Sequence, residues 1–206
     1  MNDDRHIPLP PEAVDVAIQT VTEIIGESGA KTILKRAGML EYLQDGKLAL
    51  GVKPTFGDVG RVTTAMIDIY GERGAGAMLK RAGRVQFTKW REAYPAAIGL
   101  AGVALKALPV GIRLKTVLKA VSVAAKQIAG VDTEVSDGEN GSLVFKTHQC
   151  PYCSGVQTHS PFCLTAVGAL DEVGHWATDQ RWSTVETECR ANGAETCTFV
   201  MRVVEG

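Results

Sequence analysis

The chain has 206 residues, of which 45% are apolar and 22% are charged, and its formal net charge is −1. This length and composition fit one folded domain and argue against an intrinsically disordered chain. The near-neutral charge argues against a general nucleic-acid binder, which is usually basic overall.

The first residues, 1–11, are polar and lack the basic and apolar regions of a secretory signal peptide. All five cysteines lie between positions 150 and 197. In a reducing compartment, this clustering indicates metal or redox chemistry before a disulfide framework. We therefore expect a cytoplasmic protein whose cysteines serve metal or redox chemistry.

An internal repeat occupies the N-terminal part of the chain. Residues 24–38 and 69–83 are identical at ten of fifteen positions, at an offset of 45. Each copy follows an apolar stretch, breaks at a glycine, and then runs as a short helix to an Ala-Gly pair. The pattern predicts two helix–turn–helix units, at about 11–43 and 57–93. Two copies are too few for a solenoid, so we expect paired packing of similar helices.

The repeat ends in glycine, at Gly38 and at Gly83. Glycine tolerates the positive φ that a helix C-cap requires, so both positions are predicted caps. Each cap follows two basic residues, which interact favourably with a helix C-terminus. The alternative is that these pairs bind an anion: Lys35–Arg36 and Lys80–Arg81.

Residues 96–108 are apolar and rich in glycine and alanine, but the run is too short and too interrupted for a transmembrane helix. An amphipathic helix is predicted from Pro109 to Gly130. We expect its basic face to be solvated, with contact to a membrane or an anionic ligand as the alternative. Its apolar positions recur at intervals of three and four: Leu114, Val117, Leu118, Val121, Ala125 and Ile128.

The pattern then changes to alternation. Residues 131–135 and 142–147 alternate around the turn sequence SDGENG, which predicts a hairpin. Residues 161–174 are predicted as a helix, and 182–189 and 197–204 as strands around ANGAE. Helices followed by antiparallel strands indicate an α+β fold, with N-terminal helices packed on a C-terminal sheet in a single domain.

The second hairpin suggests a metal site. Cys189 and Cys197 flank its turn, Glu186 precedes Cys189 by three residues, and Cys163 lies in the preceding helical segment. Three thiolates and a carboxylate can surround zinc as a tetrahedron, and four protein ligands make such a site structural. In a regular strand, Glu186 and Cys189 point to opposite faces, so the site requires a bulge or an early strand end near 187–189. The alternative is that the cysteines are buried as small apolar residues.

Cys150 and Cys153 form a separate CPYC motif, in which Ser154 stands where heme attachment would need a histidine. A second metal half-site needs two more ligands, and no histidine has convincing spacing. The surroundings also lack the βαβ pattern of a thioredoxin-like site. Three roles remain, in order of preference: a structural or pocket-lining thiol pair, a redox pair, and a second metal site. We expect zinc binding not to depend on this pair.

These motifs resemble those of the vinyl-4-reductase domain. The resemblance is specific over about 130–206, whereas residues 11–130 are similar only in their helical character. The family includes proteins associated with bacteriochlorophyll synthesis, predicted hydrocarbon-binding proteins, and sensor domains of aromatic-responsive transcription activators. The motifs that carry it are CPYC at 150–153, Cys163, ETEC at 186–189, Ala191, Gly193 and CTF at 197–199.

The resemblance implies a zinc ion on Cys163, Glu186, Cys189 and Cys197, because phenol-sensing members bind zinc through a similarly spaced cysteine, glutamate and two further cysteines. It also implies a fold similar to transport-particle subunits, a homodimer, and a buried pocket beside the metal. A histidine and a tryptophan hold the phenol in those sensors. Neither His175 nor Trp176 aligns with them, so no ligand-binding residue is assigned.

We expect a module that binds a small hydrophobic, aromatic or tetrapyrrole-like molecule between the helices and the sheet, where the small residues of 96–108 leave room. The alternative is a reductase of a tetrapyrrole vinyl group in (bacterio)chlorophyll synthesis. That reaction needs a reductant, and no G-x-G-x-x-G follows a predicted strand. A third possibility is a module that serves mainly to dimerise. Neither nucleic acid nor stable membrane insertion is expected.

Overall fold

The computed structural model describes residues 4–45, 47–49, 51–93 and 107–204. The predicted α+β class is confirmed, with helices packed against an antiparallel sheet. The helices are α1 (Pro11–Arg36), α2 (Phe56–Ala93), α3 (Val110–Ala129) and α4 (Leu164–Thr178). The strands are β1 (Leu43–Gln44), β2 (Lys47–Leu48), β3 (Thr133–Asp137), β4 (Leu143–Thr147), β5 (Trp182–Glu188) and β6 (Cys197–Val203).

The two copies of the repeat have the same backbone break. Gly26 in α1 has φ 76° and ψ 165°, and Gly71 in α2 has φ 67° and ψ 165°. A positive φ of this kind costs little only for glycine, so each helix changes direction at the repeat's first glycine. The predicted glycine break is therefore confirmed in both copies.

The two predicted caps have different outcomes. Gly38 has φ +67° just after α1, as a C-cap glycine should. Gly83 lies inside α2, which continues to Ala93, so the second cap prediction was wrong. A Cβ at Gly83 would lie 1.9 Å from the carbonyl oxygen of Thr165 in α4. The missing side chain at Gly83 therefore permits a close crossing of two helices.

The same crossing uses a glycine on the opposite helix, since a Cβ at Gly168 in α4 would lie 1.9 Å from the Lys80 carbonyl oxygen. The basic residues of the repeat find internal partners around it. Lys80 Nζ lies 3.0 Å from Asp171 Oδ2, and Arg36 Nη2 lies 2.6 Å from Asp68 Oδ2. These carboxylates, rather than an external anion, account for one basic residue of each predicted pair.

The sheet has the strand order β3-β4-β6-β5 with antiparallel neighbours. Both predicted hairpins are present. Helices α3 and α4 cover one face of the sheet, α2 packs on α4, and α1 packs on α2. The covered face supplies the core through alternate residues, as the period of two requires: Leu143, Phe145, Trp182, Phe199 and Met201.

The predicted amphipathic helix is α3, with Gly130 as its left-handed C-cap. Leu114 and Leu118 are fully buried, while Lys115 and Lys126 pair with Asp137 and Asp132. Within the described ranges, no helix combines the length and apolarity needed to cross a bilayer. Most of the apolar stretch 96–108 lies outside the described residues.

Candidate metal centre and adjoining cavity

All five cysteines meet in one buried cluster. Each is a free thiol and nearly inaccessible, from 0% exposed at Cys163 to 5% at Cys153. Cys163 immediately precedes α4, so the start of that helix fixes its position. Cys189 directly follows β5, and Cys197 opens β6, so the hairpin brings their sulfurs to 4.0 Å.

The strand irregularity that the site requires is present. Pairing of β5 with β6 shifts register between Glu186 and Glu188, and β5 ends at Glu188. This bulge lets Glu186 and Cys189 face the same cluster although they are three residues apart. Glu186, Cys189, Cys197 and Cys163 offer ligand atoms that all lie within 4.8 Å of one another.

Glu186 has the contacts expected of a carboxylate beside a cation. Its Oε2 accepts a hydrogen bond of 2.7 Å from the Cys163 backbone N–H. Its Oε1 is buried and has no hydrogen-bond partner among the described residues. Burial, followed by the negative charge of Cys189, raises the pKa of Glu186 to about 9. A metal ion at Oε1 would remove both the unmet acceptor and the cost of the buried charge.

The thiols depend on one another in the same way. Hydrogen bonds with the other thiols, first with Cys150, together with burial, raise the pKa of Cys163. Hydrogen bonds from Cys153 and Cys163 lower the pKa of Cys189 to about 6. Backbone N–H groups of Arg190 and Ala191 also point at the Cys197 and Cys189 sulfurs, at 3.5 and 3.4 Å. The site therefore favours some thiolates but not all of them without a cation.

The CPYC motif is not separate from this cluster, which corrects the expectation from its spacing. Cys150 Sγ lies 3.4 Å from Cys163 Sγ, and Cys153 Sγ lies 3.5 Å from Cys197 Sγ. The motif forms a short 3₁₀ turn over Pro151–Cys153, just after the strand that pairs with β6. Long-range pairing of β4 with β6 brings the two motifs together, and spacing along the chain cannot reveal it.

An ion pair that the sequence did not reveal closes the site. Asp4 is only 8% exposed and contacts the Arg190 guanidinium through Oδ2. Its Oδ1 accepts a hydrogen bond of 2.8 Å from the Ser154 hydroxyl, next to Cys153. The N-terminal segment thus joins the CPYC turn to the β5–β6 hairpin. The sequence indicated only a polar start here, because the partners of Asp4 are far away along the chain.

A cavity of about 350 Å³ lies beside the cluster, between the helices and the sheet. Its walls are almost entirely apolar and come from α1, α2, α3, α4 and the covered face of the sheet. Cys150 and Tyr152 belong to its wall as well as to the CPYC turn, so the cavity and the cluster share a boundary. Other side chains that line it include Ala13, Ile18, Leu34, Phe87, Ala125, Phe145 and Phe199.

Two polar side chains meet on the cavity wall. The Tyr152 hydroxyl donates a hydrogen bond of 3.1 Å to Gln86 Oε1, and both residues line the cavity. His175 is exposed and its Nδ1 lies 3.3 Å from the Gln180 carbonyl oxygen. Trp176 packs edge-on against Phe87. Neither His175 nor Trp176 is among the described residues that line the cavity.

Residues 143–203 match the vinyl-4-reductase domain. This range contains β4, the CPYC turn, α4 and the β5–β6 hairpin, and therefore every member of the cysteine cluster. No curated protein matches the chain. The family match thus covers the cluster and most of the sheet, and the N-terminal helices lie outside it.

The whole fold resembles that of H-NOX domains. A mutant H-NOX protein from S. oneidensis in the Fe(II) ligation state is 10% identical, with 96% of this chain and 97% of that chain covered and a TM-score of 0.62. An oxygen-binding H-NOX domain related to soluble guanylate cyclases is 14% identical, with 94% and 93% covered and a TM-score of 0.58. A structure from work on heme distortion in the H-NOX family has 14% identity, the same coverage and a TM-score of 0.61. At such identity, the likeness establishes the fold alone.

Proposed function

We propose that this chain, which contains a vinyl-4-reductase domain at residues 143–203, binds a small hydrophobic molecule next to a structural zinc site. The observation that carries the proposal is the apolar cavity of about 350 Å³ that shares Cys150 and Tyr152 with the cysteine cluster. Small-molecule sites are concave, mostly apolar and about 300–1,000 Å³ in volume. The zinc ligands are Cys163, Glu186, Cys189 and Cys197.

The cavity favours an aromatic or hydrocarbon ligand with few polar groups. Apolar side chains cover most of its wall, while Tyr152 and Gln86 can meet one hydroxyl or carbonyl oxygen. The similar H-NOX structures include ones described by their heme or by bound oxygen. None of the chain's four histidines lines this cavity among the described residues, so a heme ligated by histidine is not supported here.

We propose binding without turnover rather than reduction of a vinyl group. Reduction needs a bound hydride or electron donor, and no G-x-G-x-x-G motif occurs in the sequence. A zinc ion with four protein ligands has no open position for a substrate. Its role in this proposal is to hold the start of α4 and the β5–β6 hairpin together.

We also propose a homodimer in a reducing compartment, the cytoplasm, where five buried thiols stay free. The outer face of the sheet supports self-association, because three valines lie side by side across it. Val144 pairs with Val200, which pairs with Val185, and Val185 is 58% exposed. Exposed apolar residues in such a row are typical of an interface.

Ligand binding is tested by the melting temperature of the purified protein in the presence of aromatic hydrocarbons and porphyrins. A compound that enters the cavity should raise the melting temperature by an amount that grows with its concentration over the dissociation constant. It should be recovered chemically unchanged after incubation with reduced nicotinamide or reduced ferredoxin. Reduction of a divinyl tetrapyrrole at a catalytic rate would establish the reductase instead.

A further inference from the structure

The six candidate metal ligands of the cluster form two groups of four. Within each group, the ligand atoms lie within 4.8 Å of one another. Both groups contain Cys163 and Cys197, which therefore form a shared edge. The first group is Cys163, Glu186, Cys189 and Cys197, and the second is Cys150, Cys153, Cys163 and Cys197.

The distances between sulfurs suit two tetrahedra that share this edge. A Zn–S bond of about 2.3 Å places neighbouring sulfurs of a tetrahedron about 3.8 Å apart. The shared edge, from Cys163 Sγ to Cys197 Sγ, is 3.7 Å. On one side, Cys150 lies 3.4 Å from the first of these sulfurs and Cys153 lies 3.5 Å from the second. On the other side, Cys189 lies 3.6 and 4.0 Å from the two. Each side of the edge thus has the spacing for one ion.

Charge favours a second ion as well. Five thiolates and one carboxylate would carry six negative charges at a site where every member is buried. One Zn²⁺ offsets two of those charges and a second offsets two more. Buried charges are costly unless they are paired or bound to a metal. The guanidinium of Arg190 lies nearby, but it is already paired with Asp4.

We propose that the cluster binds two zinc ions, bridged by the thiolates of Cys163 and Cys197. The first ion is the one described under the proposed function, completed by Glu186 and Cys189. The second is completed by Cys150 and Cys153, which makes the CPYC motif half of a metal site. A thiolate sulfur retains lone pairs for a second metal, and an all-thiolate set selects a soft or borderline ion such as zinc.

The second ion gives the CPYC motif a task in the cavity. The turn that it fixes carries Cys150 and Tyr152, which line the cavity, and Tyr152 donates to Gln86 on α2. Metal ligands hold their local backbone in place and stabilise folding when they bind. The second ion therefore sets the position of the polar group that a ligand would meet.

The zinc count of freshly purified protein, measured by native mass spectrometry and elemental analysis, tests the proposal. Wild type should hold two zinc ions per chain. Cys150→Ser with Cys153→Ser should leave one ion on three thiolates and a carboxylate. Glu186→Gln with Cys189→Ser should also leave one, held by four thiolates. After exchange into ¹¹³Cd²⁺, wild type should give two resonances that are coupled through the bridging sulfurs, a readout that needs no variant.

One zinc ion in wild type, retained unchanged when Cys150 and Cys153 are both replaced by Ser, would overturn the second ion. A mass deficit of two hydrogens that locates a disulfide between Cys150 and Cys153 would overturn it too. Both outcomes leave the first zinc site and the ligand-binding proposal intact. The first site fails separately, if Glu186 and Cys189 variants keep all their zinc, and ligand binding fails separately, if no ligand changes the melting temperature.

Discussion

Asp4 and Arg190 form a buried ion pair across 186 positions of sequence, with side-chain exposures of 10% and 12%. Arg190 follows Cys189 directly, and its backbone N–H points at Cys197 Sγ. Asp4 also accepts the hydroxyl hydrogen of Ser154, beside Cys153. The N-terminal segment therefore holds together the two segments that supply most of the thiols.

Asp4→Asn should destabilise the protein by about 3 kcal/mol, because loss of one partner leaves a buried charge uncompensated. Denaturant unfolding of the metal-loaded protein measures this change. Glu27→Gln is the matched control, since the Glu27–Lys31 pair is exposed and its loss should cost under about 0.5 kcal/mol. Equal effects of the two substitutions would contradict the role of Asp4.

Gly83→Ala and Gly168→Ala should each destabilise the fold strongly. A Cβ at either glycine would lie 1.9 Å from a backbone carbonyl oxygen of the facing helix, so α2 and α4 would have to separate. We expect a loss of about 2 kcal/mol or more, as for other overpacked sites. Gly111→Ala in α3 is the control, because nothing lies within 4 Å of the added Cβ. It should be neutral or stabilising by up to about 1 kcal/mol in thermal unfolding.

Glu186→Gln should weaken zinc binding at least about tenfold, since a neutral amide replaces the carboxylate whose Oε1 is buried without a partner among the described residues. Competition with a chromophoric chelator measures the affinity. Glu188→Gln lies two residues along the same strand, on an exposed side chain whose Oε2 accepts from the Thr198 hydroxyl, and should keep the wild-type affinity. The same affinity in both variants would remove Glu186 from the site.

Val185→Glu should shift the protein from dimer to monomer in light scattering at micromolar concentration. The substitution places a charge at one end of the valine row on the outer sheet face. Ser183→Glu adds the same charge two residues earlier on the same exposed face and should leave the dimer intact. A wild-type protein that is monomeric at this concentration would rule out the proposed dimer.

Local patterns predicted most of the C-terminal half, because a covered sheet face imposes an alternation that is visible in the sequence. The same alternation exposed the conflict between Glu186 and Cys189 and therefore predicted the bulge between Glu186 and Glu188. The repeat predicted the breaks at Gly26 and Gly71, since glycine alone adopts their φ without strain. These features depend on neighbours in sequence.

The remaining features depend on contacts between distant segments. Gly83 has the local sequence of a helix cap, but its environment is set by Thr165 on another helix. The two cysteine motifs appeared separate because the pairing of β4 with β6, which joins them, leaves no mark in their spacing. Asp4 likewise has no local signal, since its partners Ser154 and Arg190 are 150 and 186 positions away.

The most direct test of ligand binding compares the melting temperatures of wild type and two variants of α3. Ala125 lines the cavity, so Ala125→Phe should fill it and abolish the ligand-dependent rise in melting temperature. Ala120 is exposed on the same helix, so Ala120→Phe should keep the full rise. A hydrophobic ligand that stabilises wild type and Ala120→Phe but not Ala125→Phe is the predicted result. Equal stabilisation of all three proteins would contradict binding in this cavity.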